Sequence, residues 1–86
     1  MNIVELSLMP ESVDTDLEKI KVSLKEKLRK AKNIQIEETE IAFGLKSLKV
    51  LIAWPDSEET DEIENIVAKI KGVSSVKIED IRRAFG

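Results

Sequence analysis

The sequence IQIEETEIAFGLKSLKVLIAWP, residues 34–55, contains two strand patterns separated by a single glycine. Apolar and polar residues alternate from Ile34 to Glu37, which is the period of a half-buried strand. Residues 48–54 are apolar on both faces for part of their length, as in a central strand, and a proline ends the run. Gly44 lies between the two runs, at a position where a positive φ costs little. These features predict a β-hairpin with Phe43 and Gly44 at its tip.

A strand and a helix are predicted on each side of this hairpin. Residues 4–8 alternate between apolar and polar, and residues 17–28 carry an apolar stripe at helical spacing. Residues 63–70 repeat the helical pattern, Gly72 follows as a C-terminal cap, and residues 76–79 alternate again. The two helical stripes consist of Leu17, Ile20, Leu24 and Leu28, and of Ile63, Ile66, Val67 and Ile70.

Two pairs of residues predict where the helices begin. Thr15 with Glu18, and Asp56 with Glu59, match the spacing of a capping box, in which the first residue accepts a hydrogen bond from the third helical position. Four basic residues close to residue 30 fit the C-terminal end of the first helix, where cations interact favourably with the helix dipole.

The order strand, helix, strand, strand, helix, strand predicts a ferredoxin-like α+β fold in one domain over residues 1–86. Right-handed crossovers place both helices on one face of a four-stranded antiparallel sheet. The tip with Phe43 and Gly44 then lies at one end of the sheet, and the chain terminus leaves at the other, roughly 25–30 Å away.

Composition excludes several classes of function. The chain has no Cys and no His, which removes thiol chemistry, disulfides, Cys/His zinc sites and imidazole-dependent triads. Its net charge of −3 argues against a general binder of phosphate backbones, and its three aromatic residues form no base-stacking platform. Three isolated glycines provide no phosphate-binding loop. We therefore expect no catalytic residue, no cofactor and no direct contact with nucleic acid.

Acidic clusters are interpreted as structural and not as metal sites. Glu37, Glu38 and Glu40 are typical of a solvated edge strand, where charge prevents unwanted strand pairing. The acidic residues over residues 58–64 flank a helix N-terminus, where carboxylates favour the helix dipole. No metal is therefore expected. The chain also has no signal-peptide pattern and no apolar run long enough for a membrane span, which predicts a cytoplasmic protein without membrane contact. We also expect a monomer, although no sequence pattern determines the oligomeric state.

The few aromatic residues are unusually placed. Phe43 either curls into the core or protrudes as an apolar anchor for a partner protein, since exposed aromatic residues often dominate interfaces. Phe85 is either a second contact or part of a frayed terminus, and Trp54 is expected to cap the edge of the core. Arg82 and Arg83 suit bidentate contacts to carboxylate or phosphate.

Three segments resemble the archaeal elongation factor 1-beta family. Met9-Pro10-Glu11-Ser12, followed by Asp14 and Asp16-Leu17-Glu18, is similar to the first loop and helix of that family. Ile41-Ala42-Phe43-Gly44-Leu45 is similar to its most recognisable motif, and Asp80-Ile81-Arg82-Arg83 with Gly86 resembles its end. The resemblance implies a ferredoxin-like exchange-factor domain that releases GDP from elongation factor 1-alpha, without the N-terminal extension of eukaryotic relatives.

The resemblance also implies which residues bind the partner. In eukaryotic relatives the phenylalanine of the Ala-Phe-Gly loop enters an apolar pocket of the GTPase, which corresponds here to Ala42, Phe43 and Gly44. Their C-terminal lysine, which reaches the magnesium and phosphate region, has no counterpart near Gly86. We therefore expect Arg82 or Arg83 to take its place, with Phe85 as a further contact.

Two other functions fit the same features. A regulatory domain that senses a small molecule and dimerises through its sheet would have this fold and no catalytic groups. A structural subunit that tethers translation factors would bind the GTPase without changing the rate of GDP release. The exchange factor explains Phe43 and the arginine pair better than either alternative does.

Overall fold

The computed structural model describes residues 1–83, so the expected contact at Phe85 lies outside the described residues. The elements, in order, are β1 (Asn2–Pro10), α1 (Leu17–Lys27), β2 (Ile34–Ala42), β3 (Leu45–Trp54), α2 (Asp61–Ala68) and β4 (Val73–Arg83). This order confirms the predicted βαββαβ arrangement.

The four strands form one antiparallel sheet in the order β2-β3-β1-β4. Strand β1 lies inside the sheet, where Leu6 pairs with Val50 of β3 on one side and with Ile78 of β4 on the other. The edge strands are β2 and β4. The ferredoxin-like topology is therefore the predicted one, and β2, with its acidic residues, is at an edge as expected.

The core lies between the inner face of the sheet and the two helices. Side chains that alternate along β1 and β3 point to this face and are fully buried, as the period of a strand requires. The predicted apolar stripes also face this core, with Leu17 and Ile66 only partly buried at its margin and Leu28 and Ile70 just beyond the helix ends. The core cluster consists of Val4, Leu6, Leu8, Ile20, Leu24, Leu28, Leu48, Val50, Ile52, Trp54, Ile63, Val67 and Ile70.

Trp54 belongs to this core and closes its edge. The indole is completely buried, and its Nε1–H donates a 3.2 Å hydrogen bond to the backbone carbonyl of Glu59. A buried indole N–H needs such an acceptor because an unpaired one would lose its hydration without replacement. The bond ties the end of β3 to the loop that precedes α2.

The helix starts differ from both predicted capping boxes. At α1 the cap is Asp16, whose Oδ1 accepts hydrogen bonds from the N–H groups of Glu18 and Lys19, at 3.1 and 3.3 Å. The Thr15 hydroxyl instead accepts from the N–H of Ser12 and closes the preceding turn. The prediction was wrong because the aspartate one residue later is an equally good cap and competes with the threonine.

At α2 the first turn begins with Thr60 as N-cap, which makes no side-chain capping bond. Asp56 lies four residues earlier, and its carboxylate contacts the N-terminal ammonium of Met1 at 2.8 Å. Glu59 provides the carbonyl that Trp54 binds. The predicted box is therefore wrong, because α2 begins only at Asp61 and the Asp56 carboxylate has a tertiary partner that a local pattern does not reveal.

A lysine on α1 holds the helix over the edge of the sheet. Lys21 Nζ lies 3.2 Å from a carboxylate oxygen of Glu18 in its own helix and 3.6 Å from one of Glu38 on β2. The hydrogen bond to Glu18, together with the charge of Glu38, raises the pKa of Lys21. One of the three acidic residues of the edge strand thus has an ion-pair partner and is not only solvated.

Strand β4 is longer than predicted. The segment from Asp80 to Arg83, expected to form a charged tail, continues the strand and pairs with β1. A register shift occurs between Glu5 and Leu6, which pair with Asp80 and Ile78, so Glu79 is an extra residue of the kind that forms a β-bulge. The sequence pattern missed this continuation because the bulge breaks the alternation.

Gly72 is a position where a side chain would be both crowded by a neighbouring side chain and strained in its backbone. Its φ is +96°, and an added Cβ would lie 3.0 Å from Thr15 Cγ2, whereas Gly44, with a φ of +79°, has open space around the same position. We predict that Gly72→Ala lowers the free energy of unfolding by about 2–3 kcal/mol, and that Gly44→Ala, with backbone strain alone, lowers it by about 1 kcal/mol.

Urea unfolding followed by the fluorescence of the single tryptophan, which is buried, would measure both values. Equal losses for the two variants would show that the contact with Thr15 does not contribute.

Candidate protein-docking site

The tip of the β2–β3 hairpin is a two-residue turn. Ala42 and Leu45 are paired across the strands, and Phe43 and Gly44 between them have φ values of 51° and 79°. A two-residue loop with positive φ at both positions is a type I′ turn, whose twist matches that of the flanking strands. The turn therefore fixes the direction in which the strands present Phe43.

The Phe43 side chain is 100% exposed. This excludes the alternative in which the ring curls into the core, and it leaves the side chain without any packing role inside the domain. Fully exposed phenylalanine is unusual because burying such a side chain is worth about 2–3 kcal/mol. The ring is thus available to contact another molecule.

Phe43 is also the one non-glycine residue with positive φ in the part of the chain that the structure describes. Such a conformation costs an L-residue about 1–2 kcal/mol, and type I′ turns normally carry Asn, Asp or Gly at this position. The domain gains neither packing nor turn stability from a phenylalanine here. Strain of this kind is common where a residue serves recognition.

Two further apolar side chains are exposed at the same end of the domain. Ile41, 51% exposed, lies at a register shift of β2 between Glu40 and Ala42. Val13, 60% exposed, lies in the β1–α1 loop and lines a shallow cleft together with Gly44. We call Val13, Ile41 and Phe43 the tip patch. Sequence reasoning missed Val13, although it is the one apolar residue in the otherwise polar loop 11–16.

The arginine pair lies at the opposite end of the sheet. Arg82 and Arg83 pair with Ile3 and Asn2 at the start of β1, and Asn2 in turn pairs with the end of β3. The ten residues of β3 separate this end from the tip, which corresponds to about 30 Å at the rise of a strand. The structure therefore keeps Phe43 and the arginines apart, as predicted.

The two arginines are on opposite faces of β4. Arg82 is paired with Ile3 on the face without helices, and its Nε–H donates a 2.7 Å hydrogen bond to an Asp80 carboxylate oxygen. Arg83 is one residue further and so points to the helix side. The two guanidinium groups therefore start from opposite faces of the sheet.

Arg83 shares its end of the domain with Asp56. The pKa of Asp56 is lowered, first by its hydrogen bond to the N-terminal ammonium of Met1 and further by the positive charge of Arg83. The Asp56 carboxylate thus lies near two cations, the Met1 ammonium and the Arg83 guanidinium. The guanidinium of Arg82, in contrast, is matched by the carboxylate of Asp80.

Residues 1–83 contain no group of three or more Asp, Glu, His or Cys side chains placed to hold a metal ion. No helix of this described range is long and apolar enough to cross a membrane. The strained, fully exposed aromatic side chain at the tip is a surface feature with no packing role in the domain. A ferredoxin-like domain with such a tip is a candidate for docking on another protein.

Comparison with known proteins identifies the kind of domain. The family model of the EF-1 guanine nucleotide exchange domain matches residues 3–84. The chain belongs to this family, whose function is guanine nucleotide exchange.

Similar proteins are named elongation factor 1-beta. One from Pyrobaculum neutrophilum is 39% identical over 79 residues, which cover 88% of this chain and 86% of that protein. One from Caldivirga maquilingensis is 42% identical over 77 residues, covering 86% and 85%. One from Methanothermobacter thermautotrophicus is 36% identical over 83 residues, covering 94% and 93%. The range matched by the family model includes both Phe43 at the hairpin tip and the arginine pair, Arg82 and Arg83.

The strain at Phe43 leads to a prediction about stability. Phe43→Asn should raise the free energy of unfolding by about 1 kcal/mol, because asparagine tolerates the left-handed conformation and no packing is lost. Phe43→Ala should change it by less than about 0.5 kcal/mol, because alanine keeps the backbone strain and removes only an exposed ring.

Thermal and urea unfolding of the three proteins would test this. A clear loss of stability in both variants would mean that the ring packs against the domain in solution.

Proposed function

We propose that this chain binds elongation factor 1-alpha, the GTPase that brings aminoacyl-tRNA to the ribosome, and accelerates its release of GDP. The observation that carries the proposal is the fully exposed, strained Phe43 in a domain of the exchange family. The protein would act in the cytoplasm. It would do so as a monomer, because the acidic edge strand β2 opposes pairing with a second copy. It is not an enzyme in the bond-changing sense.

The chain would act through differential affinity. Tight GDP binding by a GTPase depends on backbone donors around the phosphates and on Mg²⁺, which neutralises their charge. A protein that binds the nucleotide-free form better than the loaded form weakens nucleotide binding by the same factor. No chemical group of the exchange factor has to react. What it needs is a surface that fits only one of the two conformations.

The tip patch would supply the apolar part of the contact. Phe43 would enter a pocket of the GTPase, Ala42 and Gly44 would let the two backbones approach, and Val13 and Ile41 would surround the ring. Aromatic anchors in desolvated pockets typically contribute 2 kcal/mol or more to an interface, on the order of 30-fold in affinity.

The end of the sheet opposite the tip, where the arginine pair lies, would supply the electrostatic part of the contact. Of the two arginines, Arg83 is the better candidate because Arg82 is paired directly with Asp80 at 2.7 Å, whereas the Asp56 carboxylate near Arg83 binds the Met1 ammonium. A guanidinium placed near the phosphates or near Mg²⁺ ligands of the GTPase would compete for the groups that hold the metal. Family membership favours this exchange role over a small-molecule sensor or a passive tether.

The first test measures release of fluorescent GDP from elongation factor 1-alpha. Phe43→Ala should lower the exchange rate per unit of factor by roughly 30-fold, because the apolar anchor is lost. Val22→Ala removes another exposed apolar side chain, on α1 and outside the tip patch, and should leave the rate within about twofold. Equal rates of GDP release with wild type and Phe43→Ala would show that Phe43 is not an anchor. If the wild type binds the GTPase without accelerating GDP release, the protein is a tether.

The second test separates the two arginines. Arg83→Gln should slow exchange by about 10-fold or more, since loss of a charge-assisted contact costs about 1.5–3 kcal/mol. Arg82→Gln removes the same charge from the opposite face of the strand and should have a much smaller effect. An effect of Arg82→Gln that equals or exceeds that of Arg83→Gln would assign the electrostatic contact to the face without helices.

A further inference from the structure

The cations of this acidic protein are concentrated in one place. The eight residues 25–32, which we call the basic segment, contain five cations and one carboxylate, whereas the whole chain carries a net charge of −3. The segment therefore has a charge of +4, and the remainder of the chain a charge of −7. Charge asymmetry of this degree indicates an electrostatic contact surface more than it indicates solubility.

Most of these cations have no carboxylate partner among residues 1–83, and Arg29 donates a hydrogen bond only to a backbone carbonyl, that of Glu26. Lys25, Lys27, Arg29 and Lys32 are exposed and make no ion pair with any of residues 1–83. Only Lys30 is paired, at 3.1 Å from Glu58 and 3.2 Å from Glu62, and these contacts raise its pKa. Four unpaired positive charges thus face solvent within one short segment.

The basic segment is held rigidly despite its exposure. Leu24 and Leu28, on either side of Lys25 and Lys27, are buried in the core. Beyond the helix, the N–H of Lys32 donates a 3.0 Å hydrogen bond to the carbonyl of Ala53 on β3. The cations are therefore presented from a fixed backbone, which lowers the entropic cost of binding a partner.

The helix dipole accounts for only part of this arrangement. Cations are favourable within the last turn of a helix, and Lys25 and Lys27 lie there. Arg29 also serves the helix end, because its Nε–H donates a 3.1 Å hydrogen bond to the backbone carbonyl of Glu26. Helix α1 ends at Lys27, so Lys32 lies beyond the range of both effects, and its position needs another explanation.

We propose that the basic segment binds the phosphate backbone of RNA. An acidic protein partner is disfavoured because protein interfaces are depleted in lysine and depend on aromatic or large apolar anchors, and the segment exposes neither. Lysine and arginine without such anchors suit contacts to phosphate oxygens, which are independent of sequence. The inference goes beyond nucleotide exchange and does not depend on it.

The position of the segment is compatible with the tip patch. Helix α1 runs away from the tip, and the segment ends beside Ala53, which pairs with Ile3 at the far end of the sheet. RNA bound there would leave Phe43 accessible. The expectation of no nucleic-acid contact was based on the average charge and on the lack of aromatic residues on the sheet, and neither describes this surface.

Fluorescence anisotropy with a labelled RNA hairpin tests the proposal on the full chain. With four phosphate contacts, affinity should fall roughly 100-fold between 50 and 200 mM salt. A variant with Lys25, Lys27, Arg29 and Lys32 replaced by Gln should bind at least about 10-fold more weakly at 50 mM salt. The matched control replaces four other lysines by Gln: Lys46, Lys69, Lys71 and Lys77. These lysines are also exposed and make no ion pair among the described residues. The RNA affinity of this control should stay within about twofold of wild type.

Each outcome of this experiment either supports or overturns RNA binding by the basic segment. Equal weakening by both sets would reduce the binding to net charge and overturn the proposal, as would absence of binding by the wild type. Poly-glutamate that displaces the RNA at equal charge concentration would identify an acidic protein as the ligand instead. Circular dichroism confirms folding of both variants, and GDP release measured in parallel without RNA keeps this test separate from the exchange function.

Discussion

The burial of Val4, Leu6 and Leu8 on the inner face of β1 holds the rest of the domain in place. These side chains are shielded by both helices, and the same strand is hydrogen-bonded to β3 on one side and to β4 on the other. A shift of β1 by one residue would turn all three toward solvent, so its register is strongly fixed. Because β3 and β4 take their register from β1, the positions of the hairpin tip and of the C-terminal arginines are fixed with it.

This constraint explains why the two candidate contacts form a rigid pair. The tip is attached to β3, the arginines are attached to β4, and β1 joins the two strands. The distance between the contacts is thus set by strand length and not by a flexible linker. The bulge at Glu79 adds one local adjustment, since it determines that Arg83 and not Arg82 faces the helix side. A small insertion in an edge strand therefore selects which guanidinium can reach a given target.

The sequence predicted the architecture well because strand and helix periods are strong where residues are buried. The helical stripes and the alternation of β1 are direct consequences of the core, so the element order and the placement of Phe43 at a tip followed from them. Features that depend on competition between similar local groups were predicted poorly. Thr15 and Asp16 are both good caps, and the choice between them depends on whether the Ser12 N–H needs an acceptor.

The candidate site was predictable to the extent that it depends on an unusual residue at a turn. Phe43 next to a glycine departs from the Asn-Gly preference of tight hairpins, and this departure was visible in the sequence. Val13 was not identified because its proximity to the tip depends on how the β1–α1 loop folds back toward the hairpin. The basic segment was visible as a run of cations, but its significance required the knowledge that only Lys30 has carboxylate partners among residues 1–83.

The strained turn is physically suited to a protein that must bind and then leave. The cost of holding Phe43 at positive φ is incurred when the domain folds, so it does not reduce the affinity for a partner. A short, rigid turn also loses little entropy on binding, and a phenylalanine ring has only two rotatable bonds to immobilise. Binding free energy from a single anchor of this kind is large enough to distinguish two conformations of a partner. It is also concentrated in one contact, so it is lost at once when the pocket for the ring changes shape.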